Sequence, residues 1–168
     1  MKITTRQAAE AFGVISIVAS LVFVGLQLRL EGRVALAEQY ASRAESAKAD
    51  VRAKMESEDY LAMEAKFWLA GNRPEWWNDQ LEDLSEELNL TPTDISLIYL
   101  DRRLMFLLYD NLYFQYDQGL LGEGFRTGAR NRLKFRLRDP FTRSIFLTQG
   151  QGLSGEIREL VAEIDNEQ

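Results

Sequence analysis

Acidic side chains are the residues of this chain whose types and spacing most resemble catalytic machinery. They occur in close groups, as at Glu56, Glu58 and Asp59 and again between Asp79 and Glu87. A carboxylate acts as a general acid or base only when it is removed from water and its pKa is tuned. These groups lie in charged stretches typical of solvated helix faces, so we expect neither a hydrolytic nor a metal–carboxylate site.

Histidine and cysteine are both absent from the 168 residues. Their absence excludes thiolate and imidazole metal sites, disulfides, cysteine nucleophiles and every triad that uses histidine as its base. The sequence also contains no P-loop. We therefore predict a protein that is not an enzyme and that uses no cofactor.

A different polar group falls within a largely apolar stretch, residues 89–119. Its members are Asp110, Asn111, Tyr113, Gln115 and Tyr116. Buried polar side chains need hydrogen-bond partners. We expect either a network that fixes the register of the central helix or, as the alternative, a ligand pocket.

Basic residues are concentrated near the C-terminal end. Between Arg126 and Arg143 seven Lys or Arg and one Asp give a local charge of +6, although the whole chain carries -6. Four of these residues form a row at i, i+4 spacing, namely Arg126, Arg130, Lys134 and Arg138. The row could neutralise the acidic stretch 79–87 or bind anionic lipid headgroups. A nucleic-acid partner is not expected, because phosphates would be repelled by an acidic protein.

The longest apolar run covers residues 11–28, which carry no charge and are flanked by Glu10 and Arg29. As a helix rising about 1.5 Å per residue it would span roughly 27 Å, close to the hydrocarbon thickness of a bilayer. The run predicts a transmembrane anchor. A cleaved signal peptide ending near residues 35–37 and a buried core helix are the alternatives.

One face of this predicted span gathers small and polar residues. It comprises Glu10, Gly13, Ser16, Ser20 and Gln27. In lipid such a face lets two helices approach closely and form hydrogen bonds, which predicts self-association. In an oligomeric channel the same face would line a pore.

The whole chain predicts an all-α protein, because it has three prolines, scattered glycines and abundant Leu, Ala, Glu and Arg. We expect two parts, a tail with a transmembrane helix at 1–32 and a helical bundle at 33–168. Gly32 is expected to bend or interrupt the first helix. Residues 33–69 then predict one long helix with an alanine-rich seam at alternating spacings of four and three. The seam comprises Ala37, Ala41, Ala44, Lys48, Val51, Met55, Glu58, Ala62, Ala65 and Leu69.

Further helices are predicted from local start signals, giving a bundle of about five. Pro74 suits the first turn of a helix containing Trp76 and Trp77, which are expected in the core or at a membrane interface. Thr91 predicts the cap of the central helix and Ser154 that of the last one. Between them we expect helices at about 123–138 and 140–148.

Three stretches together resemble a widespread group of small bacterial membrane proteins of uncharacterised function. They are GVISIVASLVFVGLQLR, DNLYFQYDQGLL and RDPFTRSIF, which contain Gln27 and Arg29, then residues 110–121, then Pro140. The resemblance implies an N-terminal span joined to a helical domain in a bacterial inner membrane. It implies no reaction.

The combined prediction is a membrane-anchored, non-enzymatic scaffold or accessory subunit in a homo-oligomer or larger membrane complex, with the lipid bilayer as a partner. A ligand sensor or small oligomeric channel is the alternative. The bundle is expected on the cytoplasmic side, because a short N-terminal tail is easily translocated.

Overall fold

A computed structural model describes residues 5–149 and 153–167, with side chains from Phe12 onward except that of Ser154. Within these residues the protein is all-α, with seven helices in the order α1 to α7. This confirms the predicted fold class, a long apolar N-terminal helix followed by a small helical bundle. The chain after α1 contributes six helices to the described part, where about five were expected.

Helix α1 runs without interruption from Thr5 to Glu56, a length of 52 residues. It passes straight through Gly32, where a bend or break was expected. A glycine inside a helix costs about 1 kcal/mol relative to alanine, which the helical bonds of the flanking turns outweigh. The predicted continuation of the apolar helix into a long polar one is therefore confirmed.

The chain separates into two compact units, Met1–Gln39 and Tyr40–Gln168, with the division inside α1. The predicted domain boundary at residues 32 and 33 stays a prediction, because neither unit is observed alone. Each unit is described by itself below.

The predicted single helix over 33–69 is wrong at Ser57. Helix α1 ends at Glu56 and helix α2 spans Glu58–Leu69. The Ser57 side chain caps α2 by accepting a hydrogen bond from the backbone N–H of Tyr60 at 3.2 Å. Acidic residues in the first turn of α2 add a favourable interaction with the helix dipole.

The break changes which side of the chain faces the core. Before it, the predicted seam residues Ala44, Lys48 and Val51 are buried. After it, the seam residue Leu69 is 78% exposed and Trp68 is buried instead. A non-helical residue between two helices resets the helical phase, so a pattern with one period cannot describe both.

Helix α3 spans Asp79–Glu87 and begins after Asn78, whose side chain accepts from the N–H of Leu81 at 3.1 Å. Pro74 does not start this helix, in contrast to the prediction. It opens a turn in which the N–H of Trp77 donates to the Pro74 carbonyl at 3.0 Å.

Helix α4, Pro92–Asp117, is the central element and packs against α2, α5 and α6. Thr91 caps it as predicted, and the Asp94 carboxylate accepts a hydrogen bond from the Thr91 N–H at 2.8 Å. This reciprocal pair is a capping box, which satisfies two backbone donors at the helix start.

Three shorter helices complete the described bundle: α5 at Glu123–Arg136, α6 at Pro140–Thr148 and α7 at Ser154–Asp165. Helix α7 begins at Ser154, with Leu153 at the cap position. Their inward faces, with Leu81 and Leu100, form a core of fully buried side chains: Leu81, Leu100, Leu133, Leu137, Ile145, Phe146, Ile157, Leu160 and Ile164.

Candidate functional site

The N-terminal part of α1 is apolar except on the face that carries Gly13, Ser16, Ser20 and Gln27, and nothing within its unit covers it. Every large apolar side chain from Phe12 to Leu28 is at least 48% exposed. By length and composition this is the one helix among the described residues that could cross a membrane. A signal sequence near the N-terminus has the same properties, and the core-helix alternative is not supported, because none of the apolar stretch is buried.

The predicted contact face of this segment lies on α1 with its small residues outward. A Cβ atom added at Gly13 would meet nothing within 4 Å. The Ser20 hydroxyl donates to the Ser16 carbonyl at 2.8 Å, so it is satisfied within its own helix. Gln27 is exposed, and the side chain of Glu10 lies outside the described residues. The use of this face stays a prediction.

The predicted polar group on α4 divides into separate local interactions. Asn111 is 8% exposed and its side-chain oxygen lies 3.5 Å from the Gln115 amide nitrogen. The Tyr116 hydroxyl donates to Glu123 at the start of α5. Asp110 accepts from the hydroxyl of Tyr40, which the sequence analysis did not single out. The Asn111–Gln115 contact joins residues one helical turn apart and restrains only those two side chains. The five predicted residues therefore do not form one connected network.

A cavity of about 190 Å³ lies beside this group, entirely within the second unit. Its wall includes Tyr40, Asp110 and Tyr113, together with Arg126 of α5 and Glu156 of α7. The Tyr113 hydroxyl is buried without a hydrogen-bond partner among the described residues. The arrangement offers both donors and carboxylate acceptors to a small polar molecule.

Two tyrosines at this cavity hold their protons more firmly than usual. Burial, with the hydrogen bond to Asp110, raises the pKa of Tyr40 to about 12. Burial and then the Glu156 carboxylate raise the pKa of Tyr113. Both phenols are therefore neutral at ordinary pH and act as hydrogen-bond groups, not as bases.

The basic row lies on α5, with Arg138 just beyond its end, and is paired with acidic residues in and just after α7. Arg130 donates to Glu156 at 2.8 Å and to Glu163, and Lys134 reaches Glu163 at 3.0 Å. The remaining links are Arg126–Glu156 at 3.5 Å, Lys134–Glu167 at 2.6 Å and Arg138–Glu167 at 2.9 Å. We call these seven residues the α5–α7 ladder. Its acidic side comes from residues 156–167 and not from the stretch 79–87, which was one of the two expected partners.

The ladder's acidic residues have a regular spacing in the sequence that none of the predictions used. Glu156 and Glu163 are spaced by seven and share one face of α7, and Glu167 follows four residues later, just beyond the end of the helix. Paired first with Arg130 and then with Lys134, Glu163 has its pKa lowered to about 2. The row on α5 thus serves an internal helix–helix contact, which leaves little of its charge for lipid headgroups.

The three tryptophans pack against each other within the bundle. Trp68 meets Trp77 and Trp76 edge to face, with ring centroids 4.6 Å and 5.9 Å apart. The Arg73 guanidinium lies 4.8 Å from the centre of the Trp68 ring and donates to the Trp68 carbonyl at 2.8 Å. The predicted places were the core and a membrane interface. Trp76 is buried in the core, and Trp77 is half-buried.

Carboxylates do not converge into a metal site in the part of the chain that the structure describes. The groups at Glu56, Glu58 and Asp59 and between Asp79 and Glu87 lie largely on exposed helix positions. Glu82 is an exception, since it accepts from the indole N–H of Trp77 and pairs with Arg73 at 3.4 Å. These contacts stabilise the turn before α3.

The chain matches no protein-family model, no curated protein and no solved structure. The resemblance to small bacterial membrane proteins is therefore supported only in its architecture, a helical protein with one long apolar N-terminal helix. Its motif residues 110–121 lie at the end of α4 and in the turn that follows, where Gly119 has a φ of 70°. Left-handed backbone of this kind favours glycine.

Proposed function

We propose that this protein is a non-enzymatic scaffold or accessory subunit held in the membrane by residues 11–28 of α1. The observation that carries the proposal is the complete exposure of an apolar helical segment long enough to span the hydrocarbon core. Eleven large apolar side chains between Phe12 and Leu28 are exposed, and they occupy all of the helix surface except the small-residue face. Burying each is worth about 1.5–3 kcal/mol, so transfer to lipid is strongly favoured over water.

In this proposal the domain after α1 lies in the cytoplasm of a bacterial cell and the anchor crosses the inner membrane once. Its support is Arg29, which follows the apolar run at once, because positively charged residues are enriched on the cytoplasmic side of a span.

Membrane attachment is tested by fractionation of cells that produce the full chain. We expect the protein in the membrane pellet and resistant to alkaline carbonate, which removes peripheral proteins. The variant Val18→Arg/Leu21→Arg should move to the supernatant, because each arginine at the centre of a span costs about 2.5–3.5 kcal/mol. The control Phe67→Arg/Leu69→Arg changes two exposed apolar residues outside the run and should stay in the pellet. A wild-type chain extracted by carbonate would contradict the anchor.

The intact mass of the membrane-bound protein distinguishes an anchor from a signal sequence. An anchor retains residues 1–37, whereas cleavage after Ala37 would remove them. A mature chain that begins near Glu38 would overturn the proposed attachment.

Self-association through the small-residue face is the second part of the proposal. The absence of native cysteine allows single cysteines to be placed in α1 without background. We expect disulfide-linked dimers in membranes from Ser16→Cys and Ser20→Cys, and few from Val18→Cys and Val22→Cys on the opposite face. Equal yields from all four positions would contradict a specific contact.

A ligand sensor is the alternative function, and the cavity at Tyr113 favours it. A buried hydroxyl without a partner beside Arg126 and Glu156 could bind a small molecule that carries both charges. A thermal-shift screen of zwitterionic metabolites tests this role. Stabilisation that is lost in Tyr113→Phe would support it, and no stabilisation by any compound would contradict it.

A further inference from the structure

The outward side of α5 carries arginines that the α5–α7 ladder does not use. Phe125, Arg132 and Arg136 lie at i, i+7 and i+11 on one side of the helix, and Phe135 lies beside them. All four are exposed, Phe135 to 70% and Phe125 to 44%. We call these four residues the outer α5 face.

Charge pairing leaves these two arginines without a carboxylate partner. Five of the seven basic residues between Arg126 and Arg143 pair with acidic residues in or just after α7: the four of the ladder, and Arg143 with Asp165 at 2.7 Å. Among the described residues Arg132 and Arg136 form no ion pair, and the Arg132 Nε donates only to the Gly128 carbonyl at 3.3 Å. The excess positive charge of this region is therefore displayed at the outer α5 face.

A shallow groove of about 330 Å³ lies between the two arginines and α4. Tyr109 of α4 lines it together with Asn131, Phe135 and the two arginines. Guanidinium groups bind phosphate through two parallel hydrogen bonds, and the phenol and amide offer further donors. The groove thus suits a phosphate group attached to an apolar body.

We propose that the outer α5 face binds the anionic phospholipid headgroups of the membrane that holds α1. Arg132 and Arg136 contact the phosphates, while Phe125 and Phe135 enter the apolar edge of the headgroup layer. The inference rests on the proposed function, because two arginines are too few to recruit a protein from solution. Anchoring makes the contact intramolecular, so a weak interaction becomes sufficient.

Nucleic acid fits the same face less well. Binding to a polyanion depends on many phosphate contacts at once, and the chain as a whole carries a charge of -6. A bilayer surface requires only local charge together with exposed apolar groups, and the outer α5 face has both.

Site-specific fluorescence in vesicles tests the proposal. The full chain with Phe135→Cys carries a single cysteine for an environment-sensitive NBD label. It is reconstituted in vesicles of phosphatidylcholine alone or of phosphatidylcholine mixed with phosphatidylglycerol. The control is Leu69→Cys, an exposed apolar position on α2. We expect a blue shift and quenching by nitroxide lipids at position 135 only in the vesicles with phosphatidylglycerol, reversed by high salt.

Variants of the arginines give the size of the effect. In the Phe135→Cys chain, Arg132→Gln and Arg136→Gln should each lower the equilibrium constant for contact between position 135 and the vesicle surface about fivefold. Arg158→Gln, an exposed arginine on α7, should leave it unchanged. These substitutions lie on the surface, and circular dichroism checks that each variant is folded.

Vesicle flotation separates the failure of this inference from that of the proposed function. Protein that floats with both kinds of vesicle, while the label at position 135 ignores phosphatidylglycerol, would overturn the headgroup contact alone. Protein that floats with neither would overturn the anchor and this inference together. An equal response from the label at position 69 would also overturn a specific contact at α5.

Discussion

The ring of Tyr40 lies flat on the ring of Phe114, with centroids 3.9 Å apart and 10° between their planes. The hydroxyl of the same tyrosine donates to Asp110, one helical turn before Phe114 on α4. A single side chain near the middle of α1 thus makes an apolar and a polar contact with the central helix. Both contacts lie within the second unit.

Substitutions at Tyr40 should separate these two contributions. Tyr40→Phe keeps the stacked ring and loses one hydrogen bond, so we expect a loss of about 1 kcal/mol in the free energy of unfolding. Tyr40→Ala loses both and should cost about 2–3 kcal/mol. Denaturant unfolding followed by tryptophan fluorescence measures both values. Tyr116→Phe, which removes an exposed hydroxyl, is the control and should change the midpoint little. Equal costs for the two Tyr40 variants would contradict the role of stacking.

The ladder should behave as a coupled network between α5 and α7. Arg130 contacts Glu156, whose side chain is only 12% exposed, at 2.8 Å. A double-mutant cycle with Arg130→Gln and Glu156→Gln is expected to give a coupling energy of about 1 kcal/mol, decreasing at high salt. A parallel cycle that pairs Arg158→Gln with Glu156→Gln should give no coupling. Additive effects in the first cycle would show that the pair contributes nothing.

Acid should weaken the ladder through Glu163. Its pKa is lowered from the ordinary value of 4.5 to about 2, chiefly by Arg130 and then by Lys134. A lowered pKa in the folded state means that the ionised carboxylate stabilises the fold. This stabilisation is complete above about pH 4.5 and disappears as the pH falls toward 2. The denaturation midpoint of the wild type should therefore decline across this range more steeply than that of Glu163→Gln.

The matched control for this pH dependence is Glu159→Gln. Glu159 is an exposed residue of the same helix and takes no part in the ladder. Its profile should follow that of the wild type. If Glu163→Gln also follows the wild type, the carboxylate of Glu163 does not stabilise the folded state.

Local signals in the sequence predicted most helix starts correctly. Thr91 with Asp94, and Asp139 before Pro140, are start signals in which a side chain accepts a backbone N–H, and both helices begin there. Such signals depend only on neighbouring residues, which a sequence displays directly. The apolar run of α1 was equally clear, because length and lack of charge are properties of the sequence itself.

Relationships between helices were predicted less well. The row at Arg126 to Arg138 was expected to neutralise the acidic stretch 79–87 or to bind lipid headgroups, but its partners lie in and just after α7. Both stretches are acidic, and the choice depends on which apolar face packs against α5. Tyr40 was overlooked for a similar reason, since its partner Asp110 is 70 residues away. Pairing over such distances is decided by packing, which a single sequence does not display.

The break at Ser57 had a local signal in the sequence but was not predicted. The contribution of its cap to the free energy of unfolding can be measured. Ser57 accepts the N–H of Tyr60 and precedes two acidic residues, a start signal that the regular seam on both sides concealed. Ser57→Ala removes this cap and should lower the free energy of unfolding by about 1 kcal/mol. Ser42→Ala, at an exposed position inside α1, should be neutral or slightly stabilising, because alanine is the better helix former. If the two variants have the same stability, the cap does not hold the break, and packing of Trp68 alone would set the new helical phase.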